Sequence, residues 1–110
     1  MEVDRIKNLC SKTLVLSLLK DGPMHGYQMC KEIESRTEGY FTLKHSTLYP
    51  TLHRLEKDGL VAGTWKTTPK IKPRKYYRLT RKGAAHHRQT TNHWRQFFTT
   101  MALLVPEVAG

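Results

Sequence analysis

The chain has 110 residues, of which 38% are hydrophobic, 19 are Lys or Arg, nine are Asp or Glu and two are Cys. That length points to one domain with a modest core, two cysteines exclude a disulfide-built scaffold, and no apolar run is long enough to span a membrane. The formal net charge is +10 and unevenly placed: residues 1–58 carry nine basic and eight acidic groups, whereas residues 59–106 carry ten basic groups and no acid. A field so one-sided is the footprint of a partner rich in phosphate.

Taken in chain order, Ile6, Leu9, Cys10, Val15, Leu16 and Leu19 recur at helical spacing, predicting a first helix from Asp4 to Leu19 that Gly22 and Pro23 end. A second, short helix follows Gly26, with Tyr27, Cys30, Ile33 and Met29 turned inward and Glu38-Gly39 closing it. Tyr40 to His45 is a connector with a short strand expected at Tyr40–Leu43. The third helix is expected to start at Ser46 or Thr47, either able to cap free amides, and to end at Asp58-Gly59. Leu48, Leu52 and Leu55 form its buried stripe, which leaves Thr47, Thr51, Arg54 and His53 or Lys57 outside with Ser46 leading. Leu60–Lys66 and Arg74–Leu79 read as two strands, joined by a stretch stiffened by Pro69 and Pro73. Thr80 caps a last helix running to about Val105.

These elements are mainly α with a small β-hairpin: a winged helix-turn-helix domain over residues 1–80 and one long C-terminal helix over residues 81–110. In that arrangement the third helix enters the major groove. Ser and Thr approach base edges closely and Arg54 can fork onto guanine. Lys70, Lys72, Arg74 and Lys75 place four charges within six residues at the hairpin tip, suited to phosphates or a minor groove. The alternative class is a basic architectural protein that binds DNA or RNA without sequence preference.

The segments His25-Gly26-Tyr27, Thr47-Leu48-Tyr49-Pro50-Thr51-Leu52, Arg54 to Val61, and Pro73 to Thr80 with Gly83 resemble the PadR transcriptional regulators in order and spacing, over about residues 9–104. The resemblance implies a winged-helix domain, a homodimer on a near-palindromic operator in double-stranded DNA, and repression relieved by small molecules. A single C-terminal helix is similar to the short subfamily, some of whose members sense drugs. Lys-Ile-Lys at the wing departs from the more usual acidic or Gly-rich tip. The expected DNA-contacting set is His25, Tyr27, Ser46, Thr47, Tyr49, Thr51, Arg54, Lys70, Lys72, Arg74 and Lys75.

In the last helix His87, Thr91, Trp94, Phe98, Met101 and Val105 step by four and three, with Phe97 and Leu104 alongside. A helix of that length reaches roughly 39 Å, beyond a domain with a radius of gyration near 13 Å. The seam therefore calls for a second copy, with Trp94, Phe97, Phe98, Met101, Leu104 and Val105 as the expected dimer interface. Trp94 matches the family tryptophan that lines an interface cavity in drug-sensing members; packing is the competing role for it. Ile6, Leu9, Thr13 and Ser17 of the first helix would face it around a small aromatic or drug-like effector. His86, His87 and His93 lack metal-ligand spacing and read as helix-surface or interface residues. No arrangement of residues activates a nucleophile. The expectation is thus a cytoplasmic, non-enzymatic protein without cofactor or metal, its two cysteines reduced.

Overall fold

The computed structural model describes residues 10–109, so Ile6 and Leu9 lie outside the described residues. Helix α1 spans Ser11–Leu19, strand β1 Met24–His25, α2 Gly26–Arg36, α3 His45–Lys57, β2 Val61–Thr68, β3 Ile71–Leu79 and α4 Arg81–Leu104, with a closing 3-10 turn at Pro106–Ala109. The strands form one antiparallel sheet in the order β1-β3-β2.

Three helices and one sheet face share the core. Val15 and Leu16 of α1, Met29 and Ile33 of α2, and Leu48, Leu52 and Leu55 of α3 meet Leu60, Val61 and Tyr77. Each such side chain contributes about 1.5–3 kcal/mol on full burial. The period-two pattern in β3 points Tyr77 inward and leaves Arg74 and Arg78 exposed. Its register pairs Val61 with Leu79 and Lys66 with Arg74, then shifts between Lys66 and Thr68. Pro73 stands opposite that shift and has no amide to give the ladder, which accounts for the slip.

Several local expectations are corrected. No strand forms at Tyr40–Leu43; the third strand is β1, where Met24 pairs with Tyr77 and His25 with Tyr76. Phe41 is instead tied to α2, its amide donating to Thr37 Oγ1 at 3.0 Å. Helix α3 begins at His45 with Lys44 as a cap that makes no side-chain bond, so neither Ser46 nor Thr47 caps it. Pro50 is therefore the sixth helical residue, past the free amides of the first turn, and leaves the Ser46 carbonyl without its helical donor. Tyr27 points outward, and Met29 takes the buried place on α2.

Thr80 does cap the last helix: its hydroxyl accepts from the Gly83 amide at 3.0 Å and donates to the Gly59 carbonyl at 2.7 Å. This knots the start of α4 to the end of α3. Gly83 is required there, because a Cβ built on it would overlap the Leu60 carbonyl oxygen. Further along, His87 is 4% exposed and belongs to the core, not to the helix surface. Beyond Thr91 the helix leaves the head, giving a molecule 58 × 29 × 21 Å in extent.

Candidate nucleic-acid interface

With 100° between successive residues, the three buried leucines of α3 put Ser46, Pro50, His53, Arg54 and Lys57 on the opposite side. All five are exposed. Thr47 and Thr51 sit at the flank and are half-buried, and Thr51 Oγ1 is spent on the Thr47 carbonyl at 2.9 Å. The outer face thus keeps the cations expected of it and is poorer in hydroxyls than the leucine stripe alone suggested. Arg54 is engaged by no hydrogen bond or ion pair among the described residues. It lies beside His53 and Lys57 on one side and Lys12 of α1 on the other.

The other flank of α3 is an aromatic ladder. His45 stacks between Tyr27 and Tyr49, with ring centroids 6.0 and 5.7 Å apart and planes within 22° and 20°. Lys31 Nζ extends it, 5.4 Å from the Tyr27 ring. The turn between α2 and α3 is thereby braced on its exposed side, so α3 is presented at a fixed angle. Gly26 permits the arrangement: a Cβ there would lie 2.8 Å from Tyr49 Oη. His45 was given no role by the sequence, whereas His53 was expected on the outer face and is exposed there. The i to i+4 spacing of His45 and Tyr49 was readable, but the contact with Tyr27 depends on how the helices pack.

The wing completes the surface. Lys70 and Lys72 at its tip are exposed, as is Arg74. Lys75 is different: its Nζ donates to Glu56 Oε1 at 2.8 Å, and Glu56 Oε2 accepts from the Gly63 amide at 3.2 Å. The Lys75 ammonium holds the Glu56 carboxyl below its usual range, and the carboxylate raises Lys75 in return. This pair locks the hairpin to α3 and makes Lys75 a brace within the surface. It is also the one ion pair that any of the ten basic residues of 59–106 makes among the described residues; the other two ion pairs join Arg36 to Asp21 and Glu32. The rest of that positive charge faces outward unneutralised.

Between α2, α3 and the wing lies a cleft of about 520 Å³ lined by His25, Tyr27, Tyr49, Trp65, Arg74 and Lys75 among others. His25 is the N-cap of α2, its Nδ1 accepting from the Gln28 amide at 3.1 Å. Burial, reinforced by the Arg74 charge, pushes its pKa below the usual histidine value. Trp65, expected as an apolar member of its strand, stands exposed at this cleft instead.

The distal half of α4 carries a second surface. Phe97 and Phe98 are 57% and 51% exposed, their ring centroids 5.4 Å apart, and Leu104 is 87% exposed. A cleft of about 660 Å³ lies here, lined by Cys10, His93, Trp94, Phe97, Phe98 and Met101. Thr13 and Ser17 do not line it, whereas Cys10, unassigned by the sequence, does. Burial pushes the thiols of Cys10 and Cys30 up. Among the described residues no group of three His, Cys, Asp or Glu side chains is placed to hold a metal, and no helix is long and apolar enough to cross a membrane.

Comparison with known proteins converges on this geometry. A PadR family transcriptional regulator from Eggerthella lenta superposes with a TM-score of 0.83 at 32% identity, over 94% of this chain and 88% of that one. The structure of Bacillus subtilis PadR in complex with operator DNA is similar with a TM-score of 0.67 at 25% identity, over 73% of this chain and 45% of that one. An uncharacterised protein of Lysinibacillus sphaericus is 32% identical over 82 residues, 74% of this chain and 75% of the relative. Residues 15–89 match the model of the transcriptional regulator PadR-like family. The winged-helix fold is thus shared with these regulators, and the chain belongs to the PadR-like family of transcriptional regulators.

Proposed function

We propose that this regulator is a sequence-specific, homodimeric DNA-binding repressor, released when a small aromatic or drug-like molecule occupies the cleft beside Trp94. The observation that carries the DNA reading is the pairing of an exposed Arg54 face on α3 with a wing whose Lys70, Lys72 and Arg74 have no acid near them in sequence or ion pair in space. Operator binding by the Bacillus subtilis relative supports it. Residues 1–80 would form the DNA-binding domain, with Ser46, Tyr49 and Arg54 at bases or phosphates, Thr47 and Thr51 at the flank, and His25, Tyr27 and the wing on the backbone. Lys75 would act chiefly by holding the wing.

Residues 81–110 would dimerise through Trp94, Phe97, Phe98, Met101, Leu104 and Val105. Two α3 helices would then enter successive major grooves about 34 Å apart on a near-palindromic operator. Occupying such a site is a form of repression these surfaces can provide. The Trp94 cleft, about 660 Å³, falls within the usual range for small ligands. An effector there would shift the dimer between two spacings of α3 according to its unequal affinity for them. A basic protein without sequence preference remains the other reading of the same charge. Arg54→Ala separates the two: it should cut preference for the operator over random DNA by about 1–3 kcal/mol. Lys70→Ala with Lys72→Ala should weaken both DNAs equally. Equal weakening of every sequence by both sets of changes would favour the architectural alternative.

A further inference from the structure

His25 and Arg74 bring two nitrogen donors against each other. The Gln28 amide donates to His25 Nδ1, so the proton of the neutral ring sits on Nε2. Arg74 Nη1 lies 2.9 Å from that same Nε2. Both are donors, and no acceptor stands between them. The opposite tautomer would relieve this clash by creating another, Nδ1–H against the Gln28 amide inside the helix cap. Arg74 is exposed and free to reorient, whereas the cap is fixed to the first turn of α2, so the cap decides the tautomer. The Tyr76 ring stands edge-on to the imidazole at 5.3 Å and holds its plane. Burial and the Arg74 charge both disfavour the imidazolium, which would lose the cap.

Two donors this close, lining one cleft between α2, α3 and the wing, can share a single acceptor placed against both. We propose that His25 Nε2–H and the Arg74 guanidinium form a fork for a single phosphate oxygen of the DNA backbone, with His25 acting as a neutral donor. The proposal rests on the DNA-binding reading above and assigns a chemical role to the first residue of the His-Gly-Tyr segment. The occupant is a backbone phosphodiester because the fork opens beside Tyr49 of α3 and shares its cleft with the wing.

A neutral donor adds affinity without releasing a counterion, and this gives the test. His25→Asn keeps a cap acceptor and deletes the Nε2 donor. Binding of a random-sequence duplex by that variant should weaken about fivefold, the effect of one hydrogen bond, with the dependence of log K on log salt unchanged. Arg74→Ala should weaken binding and lower that slope by about 0.9. In the free wild-type protein, imidazole nitrogen NMR should show the Nε2–H tautomer for His25, a readout that requires no variant to fold. The Nδ1–H tautomer, wild-type affinity in His25→Asn, or a reduced salt slope in that variant would each overturn the proposal. Movement of the His25 signals by inorganic phosphate but not by duplex would assign the fork to a free anion and overturn it as well. Absence of duplex binding by the wild type would fail the DNA reading itself, a result distinct from all of these.

Discussion

The winged head, residues 11–80, and the distal half of α4 draw on similar apolar residues and end in opposite situations. In the head every leucine of the α3 stripe is enclosed: Leu48 and Leu52 are fully buried, and the sheet, α1 and α2 close around them. Past Thr91 the same kind of residue stands in the open, with Phe97, Phe98 and Leu104 more than half exposed. The head completes its core with its own chain, while the tail carries an apolar face that the described residues leave uncovered. Burial in the first region stabilises folding; burial in the second would stabilise association. Under the proposed function, a head held rigid and a spacing between two heads that changes would both gain from that separation.

Paired leucine truncations break the comparison most sharply. Leu52→Ala should cost about 2–5 kcal/mol of folding stability in chemical denaturation, the range for a cavity in a closed core. Leu103→Ala should cost no more than about 0.5 kcal/mol, because Leu103 is 84% exposed and points away from the aromatic seam. Equal losses would mean that the tail is packed as tightly as the head. Next in size is Phe98→Glu, which places a charge in the middle of the seam. It should weaken self-association by about 2–4 kcal/mol, read as a shift to monomer in sedimentation, while the head still folds. A monomeric wild type would remove the premise.

Gly83→Ala tests the junction between the two regions. The added methyl must displace the Leu60 carbonyl, at a cost of about 1–3 kcal/mol. An unchanged melting temperature would show that the junction can yield. The smallest effect is one of pH. Burial first, then the Lys20 and His86 charges, lower the pKa of His87 from 6.5, and its Nδ1 has no hydrogen-bond partner among the described residues. The folded head therefore binds fewer protons than the unfolded chain just below pH 6.5. Stability is full above that pH and falls as the solution is acidified through the window. His87→Leu should flatten this fall, with His25, lowered in the same direction, keeping its own part of it. An identical acid dependence in the variant would place the titration elsewhere.

How much of this was legible in the sequence follows from the range of each interaction. The leucine stripe of α3, the Thr80 cap and the basic hairpin are set by residues within a few positions of one another, and periodicity exposes them. The two-residue strand β1 exists only because Tyr76 and Tyr77, some fifty positions later, offer it a partner, so no local propensity marks it. The same holds for Tyr27, which reads as an inward residue until α3 brings His45 beside it. A glycine inside a helix reads as a weak point, and the necessity of Gly83 appears only when the Leu60 carbonyl is found against it. Lys75 reads as one more wing cation, and Glu56 is what turns it inward. Within the candidate interface, charge was legible and geometry was not.

The central claim is sequence-specific operator binding by a dimer. Its most direct test is selection of bound genomic fragments at about 150 mM salt, against excess random DNA, followed by sequencing and footprinting of the enriched sites. The account expects one near-palindromic motif, protected as two half-sites one helical turn or a multiple of it apart. Recovery of fragments without a shared motif, with uniform and salt-sensitive protection, would contradict it and leave a basic protein that binds DNA for its charge alone.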